Sequence, residues 1–191
     1  MIGERLNSEN LNPFFIFFFS LFQSHFQMRR LTVDVIMKAP AFRNTLHERE
    51  LDLRGNKIPR IENLGATQDQ FDVIDLSNNQ IEILEDFPRL SRCGTLLVHN
   101  NLVSRIGSNF SETLPNIHTL MLTNNSVRTF EDIRPLQRCT NLIRLSLMLN
   151  PIAALPNYRL IIIHLLPSVR FLDFQRISNA EREEAAKLVN I

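Results

Sequence analysis

An asparagine recurs at positions 56, 79, 101, 125 and 150, each time closing the same apolar pattern. LDLRGNKI places Leu51, Leu53, Asn56 and Ile58; FDVIDLSNNQI places Phe71, Ile74, Leu76, Asn79 and Ile81. CGTLLVHNNLV supplies Cys93, Leu96, Val98, Asn101 and Val103, and IHTLMLTNNSV supplies Ile117, Leu120, Leu122, Asn125 and Val127. LIRLSLMLNPI adds Leu142, Leu145, Leu147, Asn150 and Ile152. The template is LxxLxLxxNxL, and its asparagines are spaced by 23, 22, 24 and 25 residues. Such a period describes one small unit that cannot bury its apolar face alone and must stack on copies of itself. A last segment, VRFLDFQRI, keeps Val169, Leu172 and Phe174 and puts Ile177 where the asparagine would fall.

This is the leucine-rich-repeat pattern. The fold class it predicts is α/β: a solenoid with a curved parallel sheet and a helical or irregular convex side. Side chains alternate along a strand, so the two leucines of LxL point to one face, the core. The backbone turns directly after each strand, which would bury unpaired amide and carbonyl groups. An inward asparagine offers a donor and an acceptor to those groups and to the next turn. The ladder Asn56, Asn79, Asn101, Asn125 and Asn150 is therefore structural, and Asn78, beside Asn79, is expected to point outward.

Both ends of a solenoid need covers. LTVDVIMKAP predicts a short N-terminal helical cap, with Thr32 as N-cap and Pro40 near its end. NYRLIIIHLLPSVRFLDF predicts a C-terminal repeat cap: a helix, then Pro167, then a last strand. SNAE, Ser178 to Glu181, is a capping box that opens a charged terminal helix. The expected organisation is a leader over 1–27, an N-terminal cap over 28–47, repeats over 48–155, and a C-terminal cap with its helix over 156–191.

The leader carries PFFIFFFSLF, Pro13 to Phe22. It is too short to span a membrane, which takes about 20 apolar residues, and lacks the basic start and small-residue cleavage site of a signal peptide. Phe, Leu and Ser share pyrimidine-rich codons, and the run reads as translated intron end, with a natural start at Met28. Residues 1–27 are expected to be non-native or disordered.

Charge and motifs exclude several functions. Lys+Arg number 21 and Asp+Glu 20, so no basic excess holds nucleic acid unaided. Cys93 and Cys139 lack CxxC spacing and read as buried apolar residues in a reducing compartment. The five histidines show no metal-ligand spacing, and there is no Gly-rich phosphate loop, GxSxG or HExxH. No enzymatic constellation, cofactor, metal site, small-molecule substrate or membrane contact is expected. The sequons at Asn109 and Asn124 are expected to stay unused.

The outward strand positions remain as the candidate site: Glu50, Asp52, Arg54, Val73, Asp75, Ser77, Thr95, Leu97, His99, Thr119, Met121, Thr123, Arg144, Ser146 and Met148. The face is acidic at its N-terminal end, apolar in the middle, and basic with methionine at its C-terminal end. A trough floored by Leu97, Met121 and Met148 suits an amphipathic helix or a protein domain rather than a phosphate backbone. Asp52, Arg54, Asp75, Ser77, Leu97, His99, Met121, Thr123, Arg144 and Met148 are the predicted partner contacts.

Between and beyond the repeats, RELDLRG, KIPRIENLGAT, DQFD, LLVHNN, SRIG, LTNNS, LNP, YRL and VRFLDFQ are similar to segments of a spliceosomal family. From about Leu31 to Lys187 the chain resembles the U-two small nuclear ribonucleoprotein A-prime family, with IENLGAT the most specific segment. The resemblance implies a nuclear, non-enzymatic scaffold in mRNA splicing. Its concave face would grip a helix of an RRM-containing B-double-prime-like protein, and the pair would bind U-two snRNA. Arg29, Arg30 and Arg43, with Arg54, are then candidate RNA contacts on the N-terminal rim. Members of that family continue into a long Lys-rich tail, and the Phe-rich start lies outside the family pattern. The competing readings are an adaptor of the phosphatase-regulator or cytoskeletal type and a receptor fragment. The second needs a signal peptide and disulfide-bonded caps.

Overall fold

The alternating leucines of each repeat form a short strand, and the strands stack in register. The computed structural model describes residues 30–188. β1 (Ala41–Arg43) and β2 (Arg49–Asp52) pair antiparallel. Parallel neighbours follow: β3 (Val73–Asp75), then β5 (Thr95–Leu97), β7 (Thr119–Met121), β8 (Arg144–Ser146) and β9 (Phe171–Leu172). β10 (Gln175–Arg176) closes this eight-stranded sheet antiparallel to β9. A second, two-stranded sheet joins β4 (Ile83–Leu84) to β6 (Arg105–Ile106) behind the first.

Leu51, Ile74, Leu96, Leu120, Leu145 and Leu172 face one another across successive strands, and all are buried. Burying each side chain is worth about 1.5–3 kcal/mol. Behind them the chain returns through 3-10 helices at Leu64–Thr67, Glu131–Arg138 and Pro151–Ala154 and a single helical turn, α2, at Phe110–Thr113. Strands stack about 4.8 Å apart and helical segments about 10 Å apart. The strand side is therefore the inside of the curve.

The asparagine ladder is present, and it reaches backward rather than onward. Asn101 Oδ1 accepts from Ile81 N at 3.0 Å, and Asn101 Nδ2 donates to Leu76 O at 3.0 Å and Val98 O at 3.1 Å. Asn79, Asn125 and Asn150 repeat the geometry, each tying its own turn to the preceding repeat. Asn56 has no such repeat behind it. It is half-exposed, and its side chain donates to Arg54 O at 3.2 Å.

Each end is closed differently. α1 (Val33–Lys38) starts at Thr32, whose hydroxyl accepts from Val35 N, and lays Ile36 on the first repeat. Asn63 Nδ2 donates to Leu31 O at 2.8 Å and fastens this cap. The antiparallel β1 was not predicted, because AFR is too short to alternate. At the other end α3 (Tyr158–Leu165) packs on α4 (Asn179–Leu188). The template match at Phe174 does not survive folding. Leu172–Gln175 is a tight turn with Asp173 and Phe174 at φ 52° and 63°, which swings Phe174 out to 70% exposure. Asp173 instead stands in for a strand carbonyl, accepting from Leu147 N at 2.7 Å and from the Tyr158 hydroxyl at 2.9 Å.

The predicted capping box forms: Ser178 Oγ accepts from Glu181 N, and Glu181 Oε2 accepts from Ser178 N at 2.7 Å. Arg159 donates to Glu181 Oε1 at 2.7 Å and to Leu172 O, joining both cap helices to the last strand. The Arg159 guanidinium, then the Ser178 donors, hold the Glu181 carboxyl down at about 2 against an ordinary 4.5. A depressed folded-state pKa gives a contribution that is complete above 4.5 and lost as pH falls through 2. Thermal unfolding followed across that window should show Tm falling with acidity, and Glu181→Gln should flatten the fall. An unchanged slope in the variant would place the acid sensitivity in other carboxylates.

Candidate functional site: the strand face

Register sorts the outward strand positions into three rows. The first is Glu50, Val73, Thr95, Thr119, Arg144 and Phe171, and the second is Asp52, Asp75, Leu97, Met121 and Ser146. The third lies two residues further on: Arg54, Ser77, His99, Thr123 and Met148. All ten predicted partner-contact residues thus share one face.

They are not equally available. Val73, Asp75, Ser77, Thr119 and Ser146 are buried, whereas other positions on the same face stay accessible. Leu97 and Met121 lie side by side in the second row, half-buried, and Met148 is 40% exposed. The small buried residues make the hollow, and Leu97 and Met121 form its apolar floor.

The N-terminal end is a charge cluster. Arg54 donates from Nε and Nη2 to Asp52 at 2.9 and 2.6 Å, and its Nε lies 3.4 Å from Asp75 Oδ2. The Arg54 hydrogen bonds hold the Asp52 carboxyl below its usual range, and Asp52 in turn raises the Arg54 guanidinium. Asp75, 4% exposed, also accepts from Ser77 N at 2.9 Å. Arg54 is therefore occupied by carboxylates and is not a free phosphate contact. Further along, Ser77 Oγ and His99 Nδ1 are 2.9 Å apart, and Thr123 Oγ1 and Ser146 Oγ 2.8 Å. These links hold the trough's polar side chains in fixed positions.

At the C-terminal end the Arg144 guanidinium stacks 5.5 Å over the Phe171 ring, and Arg176 pairs with Phe171 across the β9–β10 hairpin. Sequence reasoning missed Phe171, although it precedes Leu172 as Arg144 precedes Leu145. The rim arginines are not gathered into one site. Arg29 lies outside the described residues, Arg30 is exposed at their start, and Arg43 on β1 donates to His47 O at 2.8 Å.

Burial pushes the Cys93 thiol up to about 12 and the Cys139 thiol to about 11, so neither is a nucleophile at neutral pH. Among the described residues no group of His, Cys, Asp or Glu could hold a metal ion, and no helix is long and apolar enough to cross a membrane.

An ordered hollow with an apolar floor and charged ends, built on stacked strands, defines a binding scaffold of the leucine-rich-repeat class. A leucine-rich-repeat family model matches residues 28–190. The U2 small nuclear ribonucleoprotein A′ of Arabidopsis thaliana is 56% identical over 161 residues, 84% of this chain and 65% of that protein. The Homo sapiens protein of the same name is 48% identical over 84% of this chain and 63% of its own length. A chain in the crystal structure of the Drosophila melanogaster SNF/U2A′ complex superposes with a TM-score of 0.84 at 43% identity, covering 86% of this chain and 94% of that one. The chain belongs to the U2 small nuclear ribonucleoprotein A′ family of leucine-rich-repeat proteins, which are scaffolds and not enzymes. It spans 65% and 63% of the length of the two relatives.

Proposed function

We propose that this chain is a nuclear, non-enzymatic scaffold of the U2 particle in pre-mRNA splicing. The strand-face trough grips one helix of an RRM-containing, B-double-prime-like protein, and the pair binds U2 snRNA. One observation carries the reading: Leu97 and Met121 form an apolar floor between an acidic cluster and an arginine end. That pattern fits an amphipathic helix with charges at its ends. The likeness to the chain in the SNF/U2A′ complex supports an RRM-protein partner. In this reading Asp52, Arg54, Asp75, Ser77, Leu97, His99, Met121, Thr123, Arg144 and Met148 line or shape the helix site. Residues 28–47 and 156–191 act as covers for the repeats over 48–155, and Arg29, Arg30 and Arg43 are secondary RNA contacts.

The test mixes the chain with the RRM protein of the same organism and a U2 stem-loop on a size-exclusion column. A ternary species supports the reading. A folded chain that elutes alone moves the function to the adaptor class.

A further inference from the structure

In every repeat the residue before the ladder asparagine adopts a left-handed backbone. These residues are Gly55, Asn78, Asn100, Asn124 and Leu149, with φ between 55° and 68°. Glycine and asparagine suit that conformation, and leucine does not. The three asparagines also form a second, exposed amide ladder. Asn100 Nδ2 donates to Asn78 Oδ1 at 2.8 Å, and Asn124 Nδ2 donates to Asn100 Oδ1 at 2.9 Å. The ladder stops at Leu149, which is 71% exposed.

The turn at Asp173–Phe174 repeats the conflict. Both central residues are left-handed, a site that favours Asn-Gly, and one is an exposed phenylalanine. Leu147 N donates to Asp173 Oδ1, and Asp173 N donates to Leu145 O, so this turn lies beside residues 147–149. Two bulky apolar side chains thus sit strained and exposed at one end of the solenoid. Neither the core nor local geometry asks for them there, and strain that persists in this way tends to mark function.

Two observations indicate what covers them. Met148, in the third row of the trough, is itself 40% exposed and immediately precedes Leu149, so exposed apolar side chains follow one another from the trough to its edge. Arg144, Phe171 and Arg176 line up across β8, β9 and β10 at the same end, and neither arginine has an ion-pair partner among the described residues. We propose that Met148, Leu149 and Phe174 form a clasp for the stretch of the partner protein that leaves the trough. That stretch carries an apolar side chain flanked by carboxylates, which meet Arg144 and Arg176. The inference rests on the trough reading above. A nucleic-acid strand suits the arginines and the exposed ring, but it gains nothing from Leu149 or Met148.

Leu149→Asn and Phe174→Gly give each site a residue that fits its backbone. Both variants should fold, and Leu149→Asn should extend the outer amide ladder and raise Tm by about 2–4 °C. Titration of the full chain with the RRM protein should show each variant binding about tenfold more weakly. Arg176→Ala should also weaken binding and reduce its salt dependence. Unchanged affinity in Leu149→Asn and Phe174→Gly, with Met121→Glu still losing the partner, overturns the clasp and leaves the trough standing. A parent chain that binds no RRM protein overturns both together. Unchanged protein affinity with weaker stem-loop capture by the complex would assign the patch to RNA and also overturn the clasp.

Discussion

Replacing Asn125 by alanine is expected to destabilise the fold by about 3–4 kcal/mol, with unfolding followed in urea. Asn125 is almost wholly buried. Its Oδ1 accepts from Val103 N at 2.9 Å, and its Nδ2 donates to Val98 O and Leu122 O at 2.9 and 3.0 Å. Alanine leaves the buried Val103 amide unpaired and removes one of two side-chain donors from Val98 O and Leu122 O, which keep Asn101 Nδ2 and Asn150 Nδ2. The unpaired amide costs about 1–3 kcal/mol, and each of the two lost hydrogen bonds adds about 0.5–1.5 kcal/mol. The loss is shared by two repeats, so the whole stack should unfold in one transition at lower denaturant. Asn56→Ala is the control. Asn56 starts the ladder, is half-exposed, and should lose less than about 1 kcal/mol. Equal losses at the two positions would remove the ladder as the explanation.

Met121→Glu is expected to weaken binding of the RRM protein by at least about a hundredfold while Tm stays nearly unchanged. Met121 is half-buried at the middle of the second row, with Leu97 on one side and Ser146 on the other. In the free chain a glutamate there can turn its carboxylate to water. Under a docked helix it would be a desolvated, unpaired charge on an apolar floor, which is severely unfavourable. Calorimetric titration separates the cases. Undiminished affinity in the variant would move the partner off this face.

The repeat was legible because its chemistry is local: LxL fixes the strand face, and a polar residue three positions on fixes the turn. The inner ladder followed from that, with Asn79, Asn101, Asn125 and Asn150 in place. Its backward direction did not, since the amide alone does not say which neighbour's backbone lies nearer. The outer ladder left a signal in the doublets NN at Asn78, Asn100 and Asn124, which only the left-handed backbone explains. Phe174 misled because its spacing from Leu172 imitates a strand, whereas a hairpin carries it outward. The trough positions were found by alternation, but their availability was not. Asp75 and Ser77 are buried by neighbours some twenty residues away in sequence, and only register brings those together.

The central claim, that the strand face is the partner site, is tested most directly by photo-crosslinking. A benzophenone side chain is placed at Thr123, in the third row of the trough, and in a second sample at Leu102, exposed beyond the strands. Each sample is irradiated with the RRM protein. Crosslinks from position 123 to a single helix of that protein, with none from position 102, are the predicted result. Crosslinks from position 102 alone would contradict it and place the partner away from the strand face.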